Sequence, residues 1–149
     1  MATDLKLVIE LIPETSWYNN LRSLLPPDAW HTLRKKVLET SGNKCSICHA
    51  SGYLHCHEVW RYDDEQYIQQ LVAITPLCEM CHAVKHIGHT KTKTKEFYEE
   101  TVAHFMKING CNRMTFEQHK NEAFTLWEER SKHEWRIDIG QYEGVNLMI

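Results

Sequence analysis

No stretch of this chain approaches the roughly 20 consecutive apolar residues that a membrane span requires. Nothing at the N-terminus reads as a signal peptide, because Asp4, Lys6 and Glu10 interrupt the apolar run from Leu5 to Ile12, and none is expected. The expected compartment is the cytoplasm, where thiols stay reduced. Internal repeats and low-complexity tracts are lacking. So is any excess of positive charge: the formal net charge of −3 argues against a uniformly basic coat for nucleic acid. What is present suits an ordinary folded domain. With 149 residues, 42% of them hydrophobic, one core over residues 1–149 is expected. The charge is unevenly spread. His82 to Lys95 holds four lysines and no acid, whereas Glu96 to Ile149 holds ten acids against six bases.

Hydrophobic periodicity gives the coarse layout. Leu5, Leu7, Ile9 and Leu11 alternate, the pattern of a half-buried strand closed by Pro13. Ser16 to Ser23 has no clean period and reads as a loop with aromatic anchors. Pro26 and Pro27 lead into a helix from about Asp28, with Trp30, Leu33, Val37 and Leu38 inward and Gly42 as its stop. After the polar tract HTKTKTK a helix from about Thr94 buries Phe97, Thr101, Phe105 and Ile108 and ends at Asn109-Gly110. Thr115 and Gln118 form a capping-box pattern for another helix, with Phe116, Ala123, Leu126, Trp127 and Arg130 on one side. Trp135, Ile137 and Ile139 predict a short terminal strand, placed to pair with the first.

Six cysteines in a reducing compartment point to metal ligands before disulfides. Cys45-Ser46-Ile47-Cys48 and Cys78-Glu79-Met80-Cys81 are two C-x-x-C pairs separated by 29 residues. Two residues between cysteines allow a tight knuckle that turns both sulfurs to one metal, and two knuckles supply a tetrahedral four-thiolate site suited to structural zinc. Redox chemistry normally uses one such pair, not two flanking an insert. The order is a treble-clef layout: knuckle, hairpin, then a helix whose first turn carries the last ligands.

Six of the ten histidines lie between Cys45 and His89. His55-Cys56-His57-Glu58 occupies the insert, and His82 and His86 follow the second knuckle as C-x-x-C-H-x-x-x-H. On a helix beginning near Cys81, His82 and His86 share one face. The knuckle turns that face toward the hairpin bearing His57, so His57, His82, His86 and a carboxylate can converge on a second divalent ion. A second structural zinc, or a polar patch without metal, would use the same residues. By strand alternation His55 lies on the opposite side from Cys56. His49 and His89 are expected at the surface, and Cys111 as an unpaired core thiol.

These motifs resemble those of the HNH, or ββα-metal, nucleases. That family's motif is approximately L-x-V-[DH]-H-I on a hairpin, an asparagine before the second C-x-x-C, then L-C-x-x-C-H. Here stand Leu54-His55-Cys56-His57-Glu58-Val59 and Leu77-Cys78-Glu79-Met80-Cys81-His82. More narrowly, the chain is similar to a group of bacterial and phage HNH-like proteins, through the Trp17-to-Ser23 loop, Cys56 to Asp64, and Val84-Lys85-His86-Ile87-Gly88.

The resemblance implies an α+β fold with the ββα zinc module at residues 43–90, embedded among flanking helices and short terminal strands. It implies His57 and His82 as ligands of a divalent metal (magnesium, manganese, nickel or zinc) that stabilises the leaving oxygen and the phosphate charge. Glu58 stands where the family has the histidine that takes a proton from the attacking water. An alternative register makes His57 that base. Glutamate is a weaker base than histidine, and the asparagine position, five before Cys78, holds Ala73. Lys85, Lys91, Lys93 and Lys95, with Arg34, Lys35 and Lys36, are the expected phosphate contacts. The turn Asp63-Asp64-Glu65 is acidic and expected to be exposed. The activity expected is metal-dependent hydrolysis of DNA. The alternative is a non-catalytic module that binds nucleic acid or a protein, for example a phage-encoded inhibitor.

Overall fold

The structure, a computed structural model, describes residues 4–17 and 24–140; most of the Trp17-to-Ser23 loop lies outside the described residues. It is a mixed α+β fold. Helix α1 spans Pro27–Thr40, strands β1 and β2 span His55–Asp63 and Ile68–Leu77, and helices α2 and α3 span Glu79–Lys85 and Ile87–Thr90. Helices α4 (Lys95–Asn109) and α5 (Arg113–Arg130) follow, and strand β3 (Arg136–Asp138) closes the described chain.

Strands β1 and β2 form an antiparallel hairpin with His57 opposite Thr75 and a register shift between Val59 and Trp60. Their turn is the acidic one, and it is built locally: Asp63 Oδ1 accepts the N–H groups of Glu65 and Gln66, each at 3.0 Å. Asp64 is exposed there, and it pairs with Arg130 at 2.9 Å.

Two expectations for the terminal strands are corrected. β3 pairs in parallel with β2, not with the N-terminal segment. Residues 5–11 are not a strand, although the alternation does select their buried side: Leu7 and Ile9 are buried, and Leu5 and Leu11 pack against the same core. Buried backbone groups must find partners, and here side chains supply many of them. Asn109 Oδ1 accepts from Lys6 N and Leu7 N at 2.7 and 3.0 Å, while Asn109 Nδ2 donates to Leu7 O at 2.9 Å. Ile9 N donates to His119 Nε2 at 2.9 Å, and Glu10 N to Lys85 O at 3.1 Å. The alternating pattern records a face, and the face is served by helices.

The helices follow the sequence closely, with one shifted cap. Pro27 opens α1, whose Ala29, Trp30 and Leu33 are buried against Leu71 and Ile74 of β2. Thr94 caps α4 by accepting from Phe97 N, and Gly110 ends it at φ +61°, a left-handed position where glycine carries no Cβ penalty. Helix α5 begins at Arg113, one turn earlier than Thr115 suggests: the Asn112 side chain is the cap and accepts from Thr115 N at 3.0 Å. The larger core joins Leu7, Ile9, Leu54, Leu77, Val84, Ile87, Val102, Phe105 and Phe116 with Cys45 and Cys81. It therefore wraps the cysteine knuckles.

Candidate metal centres

The first knuckle follows α1 through a turn whose Gly42 and Asn43 both have positive φ, +71° and +59°. His49 N bonds Cys45 O and Cys45 N bonds Ala50 O, both at 2.9 Å, closing the knuckle. Ser46 N donates to Pro76 O at 2.9 Å, tying it to the end of β2 just before the second knuckle. Cys78 then serves as N-cap of α2, its sulfur accepting from Cys81 N at 3.4 Å.

As a result the sulfurs of Cys45, Cys48, Cys78 and Cys81 lie within 4.8 Å of one another, and those of Cys48 and Cys78 are 3.5 Å apart. A tetrahedron with metal–sulfur bonds of about 2.3 Å has edges of about 3.8 Å, so the donor set fits a metal ion such as zinc. The electrostatics agree. Burial alone would raise the Cys45 thiol, but the N–H groups of Cys48, Cys78 and Ile47 bring it down to about 7. Cys81 is fully buried, and burial followed by the charges of Cys45 and Cys78 pushes it strongly up. Four thiolates this close need a compensating cation.

The second cluster is built across the hairpin and α2. His57 on β1, His82 on α2 and His86 at the C-cap of α2 each offer a ring nitrogen, all within 4.8 Å of one another. The ring centroids of His57 lie 5.6 Å from His82 and 5.3 Å from His86. The helix stops at the third histidine of the cluster: His86 leaves helical geometry at φ −109°, ψ 47° while its N–H still reaches His82 O at 3.2 Å. Burial lowers His82 to about 3 and His86 to about 4, each aided by charge on neighbouring imidazoles. Both rings are thereby kept neutral with a lone pair available, the form that binds metal. His55 stacks on His82 with centroids 4.6 Å apart, which brings a fourth imidazole to the cluster's edge.

Two residues at these centres escaped the sequence reading. His104 on α4 places Nε2 3.2 Å from Cys81 Sγ. Glu10, read from the sequence only as an interruption of an apolar run, accepts from His57 Nε2 at 2.9 Å and from Lys85 Nζ at 2.6 Å. Burial would raise the Glu10 carboxyl; the His57 hydrogen bond and the Lys85 charge outweigh it and hold the group down to about 2. No local pattern marks either residue, since each is brought in by long-range packing of its own segment.

Lys85 is consequently a correction. It is buried, with its ammonium committed to Glu10, and is not a surface contact for phosphate. Lys91, Lys93 and Lys95 are exposed. Lys91 lies over the Phe124 ring at 5.6 Å, and Lys93 lines a cavity with His55, His82 and His86.

Glu58 lines a cavity of about 460 Å³ that also exposes His55, His57, His82 and His86. Arg34 lines the same space. Its guanidinium is anchored by Leu54 O at 2.8 Å and lies 5.1 Å from the centre of the Tyr53 ring. Glu58 also borders an adjoining cavity with Glu10, Trp127 and Arg130. Ala73 pairs with Val59 across the hairpin. No helix among the described residues is long and apolar enough to cross a membrane. Comparison with protein-family models, with curated proteins and with solved structures finds no match for this chain.

Proposed function

We propose that this chain is an HNH-like, treble-clef zinc protein that hydrolyses phosphodiester bonds in nucleic acid, DNA in the first instance, with a divalent metal. The observation that carries this reading is the convergence of His57, His82 and His86 beside the four-cysteine cluster, on a hairpin and on the helix that follows it. In this reading Cys45, Cys48, Cys78 and Cys81 hold a structural zinc that fixes the base of α2. Four reduced thiols suit the cytoplasm. The three histidines hold the second ion, which when bound supplies Lewis-acid stabilisation to the phosphate and the leaving oxygen.

The chain's own residues account for the rest. Arg34 is half-buried and braced by Leu54 O, so it meets a phosphate already oriented. Lys93 adds charge on the other side of the histidines, and Lys91 and Lys95 extend it. Glu58, on the wall shared by the two cavities, orients the attacking water and accepts its proton.

A second reading has its own support. Ala73, opposite Val59, offers only a methyl group where the nuclease family has asparagine, and a glutamate replaces the histidine base. Both changes suit a module that keeps the scaffold and binds nucleic acid or a protein without cutting.

Incubating plasmid and RNA with purified protein in magnesium, manganese or nickel separates the two. The nuclease reading expects nicking that drops by about 100-fold or more in Glu58→Ala, the usual contribution of a general base, with DNA affinity retained. Wild-type protein that cuts neither nucleic acid with any of these ions would eliminate the enzyme in favour of the binding module.

A further inference from the structure

The N-terminal segment is the least expected contributor to the histidine cluster. Its backbone is pinned at Lys6, Leu7, Ile9 and Glu10 by Asn109, His119 and the carbonyl of Lys85, drawing on α4, α5 and α2. That docking fixes the one acidic side chain in the segment's apolar stretch against His57, which is 4% exposed. Lys85 holds the other carboxylate oxygen at 2.6 Å, so the carboxylate cannot swing away from the imidazole.

An ionised carboxylate only accepts hydrogen bonds. The 2.9 Å contact between Glu10 Oε1 and His57 Nε2 therefore requires the proton on Nε2. The lone pair is then left on Nδ1. Glu10 lies outside the set of residues whose donor atoms all lie within 4.8 Å of one another, and its Oε1 meets His57 at Nε2. A carboxylate behind a metal-binding imidazole fixes its tautomer and ring orientation and raises its basicity as a ligand.

We infer that Glu10 is a positioning residue for the metal centre: with Lys85 as its brace, it locks His57 in the Nε2–H form and presents Nδ1 to the divalent ion. This rests on the reading of His57, His82 and His86 as a metal site. It gives the N-terminal segment a role in metal binding although the segment lies outside both knuckles and the hairpin. It also explains a lysine buried beside a cluster of potential metal ligands, where a free cation would oppose the metal: its charge is neutralised by the carboxylate it braces.

The test uses the full chain with the cysteine site loaded and the histidine site stripped. Cobalt(II) is titrated into wild type, Glu10→Gln and the double variant Glu10→Ala/Lys85→Met, which leaves no unpaired buried ammonium. Nitrogen-15 imidazole spectra report the His57 tautomer before metal is added. The expected result is roughly 10- to 100-fold weaker cobalt binding in the folded double variant, with loss of the fixed Nε2–H tautomer. Glu10→Gln, which keeps an acceptor oxygen, should lie between the two. Unchanged cobalt affinity and tautomer in the double variant would overturn the positioning role while leaving the metal site standing. Wild type that binds no cobalt beyond the cysteine site would overturn both.

Discussion

His104 on α4 lies 3.2 Å through its Nε2 from the sulfur of Cys81, a residue buried at the start of α2. Where His104 carries its proton on Nε2, the ring donates to Cys81 and stabilises a thiolate that burial otherwise disfavours. It also joins the cysteine knuckle to the helix that supplies Val102 and Phe105 to the core. His104→Ala should keep the fold but release zinc faster to a chelator, with affinity about 10-fold lower or more. Chelator competition monitored by a zinc dye reads this directly, and release kinetics equal to wild type would deny His104 that role.

Asn109 ties the N-terminal segment to the end of α4 by accepting from two backbone N–H groups and donating to Leu7 O. Asn109→Ala removes all three bonds. At roughly 1 kcal/mol net for each bond, part of it screened by solvent at Lys6, a loss of about 1–3 kcal/mol is expected in denaturant unfolding. Since the same segment carries Glu10, the variant should also bind the second divalent ion more weakly. Full retention of both properties would show that the segment docks without Asn109.

These long-range ties mark the limit of what the sequence discloses. The knuckles, the hairpin between them and the helix after them are all written locally, in Cys spacing, turn residues and capping, and they stand together in the structure. His82 and His86 were legible as neighbours because a helix places them there, and His57 by its place in the insert. Glu10, His104 and His119 were not, because their partners lie 47, 23 and 110 residues away, and nothing nearby in sequence encodes them. The alternation of Leu5 to Leu11 specified a buried face correctly, yet hydrophobic period cannot say whether that face meets a strand or side chains. The lysine run shows the converse. Lys85 looks like its neighbours in sequence, but its place on α2 turns it inward to Glu10.

Lys91, Lys93 and Lys95 remain on the outside, with Lys93 beside the histidines. Replacing all three by alanine should weaken DNA binding and lower the slope of log affinity against log salt by up to about 3, since each phosphate contact contributes nearly one. Fluorescence anisotropy at several salt concentrations gives the slope. A triple variant with an unaltered slope would mean that these lysines do not face the nucleic acid.

In the proposed reading one chain holds two metal centres of different kinds, four sulfurs in one and three imidazoles in the other. Elemental analysis of wild type, His82→Ala and Cys78→Ser, with calorimetric titration of the stripped histidine site, tests it most directly. Wild type should retain one zinc tightly and bind a second divalent ion. His82→Ala should keep the first and lose the second without a large change in melting. Cys78→Ser should lose the first and, with it, cooperative folding, because assembling a structural zinc site contributes on the order of 10 kcal/mol. Second-site binding in His82→Ala equal to wild type, or a Cys78→Ser protein with unchanged zinc content and melting, would rule out the two-centre arrangement.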